Sequence, residues 1–212
     1  MISYKHKFIH IHIPRTGGTS ILNALSEQNC FEAYHHIGGG GFWGPPMVVD
    51  GIDIWQKWID FFGHQKLERA KHFTAQDYLD FLGKEEYDKY YKFTFVRNPL
   101  QRLKSVTSFN WKRPHEMDTK GNRWLIDQIR YIMDKEENII VDDIFKFENI
   151  KEDYKILQSK LASVKGFNTS FIPELPHANV ATREIDSSFY TTEVLTEWRE
   201  KLVKEFNLFN YE

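Results

Sequence analysis

The segment Phe8-Ile-His-Ile-His-Ile-Pro14 runs directly into Arg15-Thr-Gly-Gly-Thr-Ser20. The first of these is an apolar, β-branched run that stops at a proline, and it predicts a parallel strand over residues 7–13, buried on both faces. The second is a short loop of small residues, and the apolar spacing after it predicts a helix over residues 18–28. A strand, a tight loop and a helix in this order indicate an α/β protein.

The loop between this strand and this helix combines a cation, hydroxyl groups and glycines. Small residues let a backbone approach a ligand closely, and a helix N-terminus presents unpaired N–H groups, so the loop is predicted to bind a phosphate or sulfate ester. The alternative is a turn whose glycines merely allow a tight bend. The pattern G-x-x-x-x-G-K-[ST] is absent, which argues against a standard P-loop ATPase. The candidate binding residues are Arg15, Thr16, Gly17, Gly18, Thr19 and Ser20.

Length and composition limit the possible classes of protein. The 212 residues fit a single domain over 1–212, and 41% hydrophobic and 16% aromatic residues suffice for a sizeable core. The net charge of −2 gives no general basic field for nucleic acid. The one cysteine, Cys30, excludes an intrachain disulfide and fits a reducing compartment. No apolar run reaches about 18 residues and no signal core precedes the first strand, so we expect a cytoplasmic protein without a membrane span.

Strand and helix patterns alternate along the rest of the chain. We therefore expect a three-layer α/β domain with a mostly parallel sheet and helices on both faces. Further strands are predicted over residues 91–96 and within residues 139–147. The predicted helices are residues 52–62 with Ile52, Trp55, Ile59 and Phe62 on one face, the segment from Tyr78 to Gly83, the segment after Pro99, residues 123–134, a segment ending near Ala162, and residues 192–206.

A second cationic segment follows the strand predicted over residues 91–96. Arg97 stands at the carboxyl end of that strand, where ligands bind in open α/β sheets, and Ser105 follows eight residues later. Pro99 is well placed at a helix start. The alternative is a strand-end arginine that caps a surface turn. We expect both cationic loops to lie at one edge of the sheet.

Histidines form the other candidate group. His72 precedes a helix whose start is indicated by Thr74 and Asp77, an N-terminal capping arrangement. A lone histidine in a loop is usually unremarkable, but imidazole titrates near neutrality, which suits a general base. His10 and His12 share one strand face, and we interpret them as packed structural residues, because no third metal ligand has a recognisable spacing. The other candidate bases are His35, His36 and His64.

Residues 29–70 are predicted to contain an irregular insertion. The glycine run Gly38–Gly41 and the prolines after it preclude regular structure there. Phe42 and Trp43 could stack on a sugar or fold the loop over the core, and both interpretations stay open. Long loops on α/β scaffolds tend to carry specificity, so this insertion is expected to bind the acceptor.

The two cationic loops together resemble the signature of sulfotransferases that use 3′-phosphoadenosine 5′-phosphosulfate (PAPS). Ile13-Pro-Arg-Thr-Gly-Gly-Thr-Ser20 is similar to their 5′-phosphosulfate loop, although arginine stands where that loop usually has lysine. Phe95-Val-Arg-Asn-Pro-Leu-Gln-Arg-Leu-Lys-Ser105 resembles their 3′-phosphate motif. Lys71-His-Phe-Thr-Ala75 and the later segments Phe147–Asn149, Leu175–Asn179 and Phe209–Tyr211 resemble the carbohydrate branch of heparan sulfate 2-O-sulfotransferase type.

This resemblance implies a P-loop-like sulfotransferase fold and sulfuryl transfer from PAPS, with PAP as product, to a hydroxyl of a carbohydrate or related acceptor. It implies that Arg15 to Ser20 hold the phosphosulfate, that Arg97 and Ser105 hold the 3′-phosphate, and that Arg183 also contacts the cofactor. His72 and Arg15 are the implied catalytic residues, with no metal. The alternatives are a nucleotide or small-molecule kinase and a PAP- or glycan-binding module without catalysis.

Overall fold

The computed structural model describes residues 1–26, 48–49, 51–67, 70–110, 127–164, 175 and 187–212. Within these residues the protein is a mixed α/β structure with a mostly parallel sheet. The strands are β1 (Ile2–Ser3), β2 (Phe8–Ile11), β3 (Val48–Val49), β4 (Ile52–Asp53), β5 (Tyr91–Val96) and β6 (Asp143–Lys146). The helices are α1 (Gly18–Ser26), α2 (Ile54–Leu67), α3 (Ala75–Leu82), α4 (Lys84–Tyr87), α5 (Pro99–Asn110), α6 (Ile129–Ile132), α7 (Ile150–Ala162), α8 (Thr192–Lys201) and α9 (Val203–Leu208).

The main sheet has the order β1-β2-β5-β6. β2 and β5 are parallel with Phe8 opposite Tyr91, β5 and β6 are parallel with Phe93 opposite Asp143, and β1 is antiparallel at the edge. β3 and β4 form a separate antiparallel pair. Parallel strands of one sheet end at the same edge, so the segments after β2, β5 and β6 emerge side by side.

Alternate residues of β2 and β5 face two different hydrophobic clusters, as the period of two requires. Phe8 and Phe93 pack with residues of α1 and α7, such as Leu22 and Leu157. Ile9, on the other side of β2, packs with residues of α2, α3 and α6. A third cluster joins α5 to α8 and α9 through Leu103, Val106, Trp198, Leu202 and Phe206. Residues of α1 and α7 therefore pack on one face of the β2–β5 pair, and residues of α2, α3 and α6 pack on the other.

Local signals placed several elements correctly. β5 has the predicted bounds, α7 ends at Ala162 as predicted, and α5 begins at Pro99. α3 begins with a capping box, in which the Thr74 hydroxyl accepts from the Asp77 main-chain N–H and the Asp77 carboxylate accepts from the Thr74 N–H. Gly83 ends α3 with φ of 75°.

Other predictions were wrong in extent. The expected helix over 52–62 begins at Ile54, so Ile52 lies in β4 with 42% of its surface exposed. Ile59 and Phe62 pack against the core as predicted, beside the buried Ile54 and Trp58. Of the helix expected over 123–134, the structure shows α6, which ends at Ile132 because Met133 has an extended backbone. Residues 123–126 lie outside the described part. The closing helix is interrupted at Leu202. None of the described helices is long and apolar enough to cross a membrane.

Candidate functional site

The two cationic loops meet at one edge of the sheet. Arg15 follows β2, Arg97 follows β5, and these strands are adjacent and parallel. The Arg97 Nη1 donates to the Arg15 carbonyl oxygen at 3.4 Å, and the Arg15 Nε donates to the Ser105 Oγ at 2.9 Å. The geometric expectation that both loops share an edge is therefore confirmed, and Arg15, Arg97 and Ser105 form one cluster.

The first loop turns sharply because two of its residues have left-handed backbone conformations. Arg15 has φ of 68° and Gly17 has φ of 84°. The buried Thr16 hydroxyl donates to the Ile13 carbonyl at 2.9 Å, so this side chain holds the shape of the loop. The Ser20 N–H donates to the Gly17 carbonyl at 2.9 Å and opens α1. Ser20 is buried, whereas Arg15, Gly17 and Thr19 are partly exposed and reachable by a ligand.

Neighbouring side chains pack tightly against both glycines of this loop. A Cβ atom on Gly17 would lie 2.8 Å from the side chains of Phe147 and Ile150. A Cβ atom on Gly18 would lie 2.0 Å from the Cδ2 of His12. No side chain fits at such distances without displacing its neighbour, so both positions require glycine for packing as well as for the turn.

The second loop is shaped by the segment that follows β6. The Arg97 guanidinium lies over the Phe147 ring, with 4.4 Å between its Cζ and the ring centroid. The Asn98 N–H donates to Glu148 at 2.8 Å, and the Tyr211 hydroxyl donates to the other oxygen of that carboxylate at 2.7 Å. The buried Nε of Arg97 has no hydrogen-bond partner within the described part of the chain. An unsatisfied charged donor at this position fits a site for an anion.

The charges of this cluster favour an anionic ligand. Burial lowers the pKa of both Arg15 and Arg97, and the nearby charge of Arg15 lowers the pKa of Arg97 further. The carboxylate of Glu148 acts in the opposite direction on Arg97. Arginine nevertheless stays protonated in proteins, so two like charges face one another at a partly desolvated sheet edge. A polyanion bound at this position would relieve this repulsion.

His72 lies beside the start of the first loop, in a 3₁₀ turn over Ala70–His72. Its Nδ1 is 2.9 Å from the His12 carbonyl oxygen, and the two imidazole centroids are 4.7 Å apart. A carbonyl oxygen only accepts, so Nδ1 carries the proton and Nε2 carries the lone pair of the neutral ring. This tautomer suits a base that accepts a proton at Nε2.

His10 and His12 lie on one face of the sheet, as their spacing predicted. Their rings stack with centroids 5.7 Å apart, and His10 also stacks on Phe93 at 4.9 Å. Burial lowers the pKa of both imidazoles well below the usual value, and the charge of His72 adds to this effect. The described residues contain no group of three or more His, Cys, Asp and Glu that could hold a metal ion.

Several candidates lie outside the described residues. They are Arg183, the candidate bases His35 and His36, the Gly38–Gly41 run with Phe42 and Trp43, and the side chains of Trp55 and His64. Residues 29–47, the first part of the expected insertion, also lie outside the described part.

The structure also brings to the site residues that were not singled out from the sequence. Phe147 contacts both Arg97 and Gly17, and Gln128 and Glu205 form hydrogen bonds near Arg97. Phe147 belongs to a segment noted above only for its resemblance to a family pattern, and no spacing or periodicity marks the other two. These contacts join parts of the chain that are far apart in sequence, so local patterns could not reveal them.

A family model described as "Sulfotransferase family" matches residues 1–112, which include both cationic loops and His72. Neither a search of curated proteins nor a search of solved structures found a match.

Proposed function

The chain belongs to the sulfotransferase family, and we propose that it transfers the sulfuryl group of PAPS to a hydroxyl of a carbohydrate or related acceptor, in the manner of the heparan sulfate 2-O-sulfotransferase branch. Family membership supports sulfuryl transfer in general. We propose in addition the donor, the acceptor and the roles of individual residues.

The observation that carries this proposal is the contact between the two cationic loops. The hydrogen bonds from Arg97 to the Arg15 carbonyl and from Arg15 to Ser105 bring two guanidinium groups and a hydroxyl to one sheet edge. A ligand with two separate anionic groups would neutralise both loops at once. PAPS has this chemistry, with a phosphosulfate at one end of the ribose and a phosphate on its 3′-oxygen.

The residues present fit such a donor. The orphaned Nε of Arg97 can donate to a phosphate oxygen, and the Ser105 hydroxyl can donate while it accepts from Arg15. The N-terminus of α1 offers main-chain N–H groups beside Gly18 and Thr19. Charge-assisted hydrogen bonds of this kind contribute roughly 1.5–3 kcal/mol each.

We assign the two loops to the two ends of the donor. Gly17, Gly18, Thr19 and Ser20 would hold the phosphosulfate, with Thr16 shaping the loop. Arg97 and Ser105 would hold the 3′-phosphate, and Arg183 is proposed as a further contact. When bound, PAPS supplies an activated sulfuryl group.

Arg15 is proposed to stabilise the charge that develops on the leaving oxygen during transfer. Its guanidinium is a planar fork where the family pattern has the point charge of a lysine. The hydrogen bond to Ser105 fixes the Nε side of that fork at 2.9 Å, so its other N–H groups are oriented by the contact between the loops.

His72 is proposed as the general base that removes the proton of the acceptor hydroxyl. A hydroxyl has a pKa far above neutrality, so a positioned base lowers the barrier. The hydrogen bond to the His12 carbonyl orients the ring and leaves the Nε2 lone pair as the proton acceptor. The ring thus stands within contact of the strand that leads into the phosphosulfate loop.

At the level of architecture, we propose a single domain over residues 1–212 with the P-loop-like, three-layer arrangement of sulfotransferases. Hydrophobic clusters on both sides of the β2–β5 pair support this arrangement. Residues 29–70 are proposed as the acceptor-binding insertion, and a cytoplasmic location and independence of metal ions are further parts of the proposal.

The decisive experiment combines binding and transfer. Calorimetry should show that PAP binds in the presence of EDTA, and [³⁵S]PAPS should label one member of a panel of glycans and small alcohols. Arg97→Ala should weaken PAP binding about 10- to 100-fold, because a partly buried phosphate loses its main counter-charge. Arg130→Ala, on the exposed surface of α6, is the matched control and should bind PAP normally.

The alternative functions predict different outcomes. A kinase would bind ATP as tightly as PAP and require magnesium ions. A binding module would bind PAP tightly and label no acceptor. Equal affinity for ATP and PAP would contradict the proposed donor, because the 3′-phosphate would then make no contribution.

A further inference from the structure

A fully buried amide and a fully buried carboxylate lie behind the second cationic loop. Gln128 precedes α6 and has 0% of its surface exposed, and Glu205 lies in α9 with 1% exposed. Burying a carboxylate is costly unless hydrogen bonds and charges compensate for the lost water. The partners of these two side chains therefore show what the buried groups hold in place.

Gln128 pairs with the main chain of Arg97 in both directions. The Arg97 N–H donates to the Gln128 Oε1 at 2.9 Å, and the Gln128 Nε2 donates to the Arg97 carbonyl at 2.9 Å. A neighbouring strand would offer the main chain of Arg97 one acceptor and one donor in the same way. Just after β5 ends, the side chain of Gln128 supplies both. It fixes the backbone of Arg97, from which the guanidinium projects over Phe147.

Glu205 fixes the orientation of Gln128. Its Oε1 accepts from the Gln128 main-chain N–H at 2.9 Å, and its Oε2 accepts from the Gln128 Nε2. The two hydrogens of the amide therefore point at the Arg97 carbonyl and at the Glu205 carboxylate. A flipped amide would place its oxygen against the carboxylate, so only one orientation is stable.

The same carboxylate is electrostatically linked to the first loop. Arg102 is buried, its charge interacts favourably with Glu205, and its Nε donates to the Pro14 carbonyl at 3.0 Å. Pro14 immediately precedes Arg15. One buried carboxylate in α9 thus acts on the backbone beside both cationic residues, Arg97 through Gln128 and Arg15 through Arg102.

We propose that Gln128 and Glu205 are positioning residues that aim Arg97 at the 3′-phosphate of the donor. The inference rests on the proposed function, since it takes the Arg97 ligand to be that phosphate. Both residues lie beyond the stretch matched by the family model, so the C-terminal part of the chain completes a site whose loops lie in the N-terminal part.

The test compares two ligands that differ only in the 3′-phosphate, PAP and adenosine 5′-monophosphate (AMP). Glu205→Gln preserves side-chain volume but replaces one of the two acceptors with an NH₂ group. That group meets either the Gln128 main-chain N–H or the Gln128 Nε2, so one of the two bonds that orient Gln128 toward Arg97 is lost. Gln128→Leu removes both bonds to Arg97. Each variant should lose about tenfold or more in PAP affinity, the equivalent of one buried hydrogen bond to a charged site, while AMP affinity changes less than about twofold.

Tyr87→Phe is the matched control. It removes a partly buried hydrogen bond, from the Tyr87 hydroxyl to the Ile140 carbonyl at 2.8 Å, near the opposite ends of β5 and β6. It should destabilise the fold without changing the ratio of PAP to AMP affinity.

The possible failures are distinguishable. If PAP and AMP weaken in parallel in Glu205→Gln, the network serves stability alone and the inference is wrong. If the unaltered protein binds PAP no better than AMP, the proposed donor is wrong and the inference is overturned with it. If Gln128→Leu does not fold, Glu205→Gln decides the matter, because it keeps Gln128 and preserves the side-chain volume at position 205.

Discussion

At the scale of single residues, one hydrogen bond determines which ring nitrogen of His72 can accept a proton. Its Nδ1 donates to the His12 carbonyl at 2.9 Å, so the neutral ring accepts protons at Nε2. This fixed tautomer separates the orienting function of one ring nitrogen from the proton-accepting function of the other.

We predict that His72→Asn lowers kcat about 10²- to 10⁴-fold, the usual contribution of a positioned base. The asparagine amide can still donate to the His12 carbonyl, so the local structure and the affinity for PAP should be nearly unchanged. In the unaltered protein kcat/KM should fall on the acid side, because protonated imidazole accepts no proton. Steady-state kinetics and PAP calorimetry on both proteins check these expectations.

His72→Ala completes the set, since it also removes the orienting hydrogen bond. A loss of kcat in the alanine variant alone would mean that the ring only holds the loop. Near-normal kcat in both variants would remove His72 from the mechanism and leave His35, His36 and His64 as candidates.

At the scale of elements, the turn from β2 into α1 depends on close packing against glycine. A Cβ atom on Gly18 would lie 2.0 Å from the His12 Cδ2 and 2.3 Å from its Nε2. The imidazole thus occupies the space that a side chain would need at the first residue of α1. The same ring lies beside His72, so a shift of the turn would reach the candidate base.

Gly18→Ala should therefore destabilise the protein by about 1–3 kcal/mol, the usual cost of overpacking a core, and weaken PAP binding. The double variant Gly18→Ala with His12→Ala should be little less stable than His12→Ala alone, because the collision is gone. Urea denaturation of the four proteins in this cycle measures the coupling. Additive effects would show that contact with His12 is not the reason for glycine at this position.

At the scale of the whole molecule, buried titratable groups make stability depend on pH. His10 and His12 have folded pKa values well below the usual value, mainly because burial disfavours their charged forms. The unfolded chain takes up protons near pH 6.5 while the folded protein does not, so stability is lost as the pH falls below about 6.5. Burial raises the pKa of Glu205 to about 7, which acts in the opposite direction between about pH 4.5 and 7.

The variant His10→Phe separates the effect of this histidine on the pH dependence of stability from the effect of Glu205. The phenylalanine ring can stack on Phe93 as the imidazole does, but it has no titratable group. As the pH is lowered from 6 to 5, the free energy of unfolding should fall less steeply in His10→Phe than in the unaltered protein. We predict that the two slopes differ by about 1.4 kcal/mol per pH unit. Chemical denaturation across this range measures the slope, and equal slopes would mean that His10 is protonated in the folded state.

The sequence by itself determined the local structure and the class of the protein. Proline and glycine positions, the Thr74–Asp77 capping pair and β-branched runs predicted β5, α3 and α7, because these signals act within a few residues. The period of two placed His10 and His12 on one face. The two cationic loops resembled a sulfotransferase signature, which agrees with the family match over residues 1–112.

Only the tertiary structure decided which residues meet. Ile59 and Phe62 of α2 pack against the core as predicted, but the helix begins at Ile54, so Ile52 is exposed and Ile54 and Trp58 join the packed face. The hydrogen bond from Arg15 to Ser105 and the pairing of Gln128 with Arg97 and Glu205 join segments that are distant in sequence. Periodicity reports the face that a residue occupies within its own element, whereas the partner across the interface depends on how the elements pack.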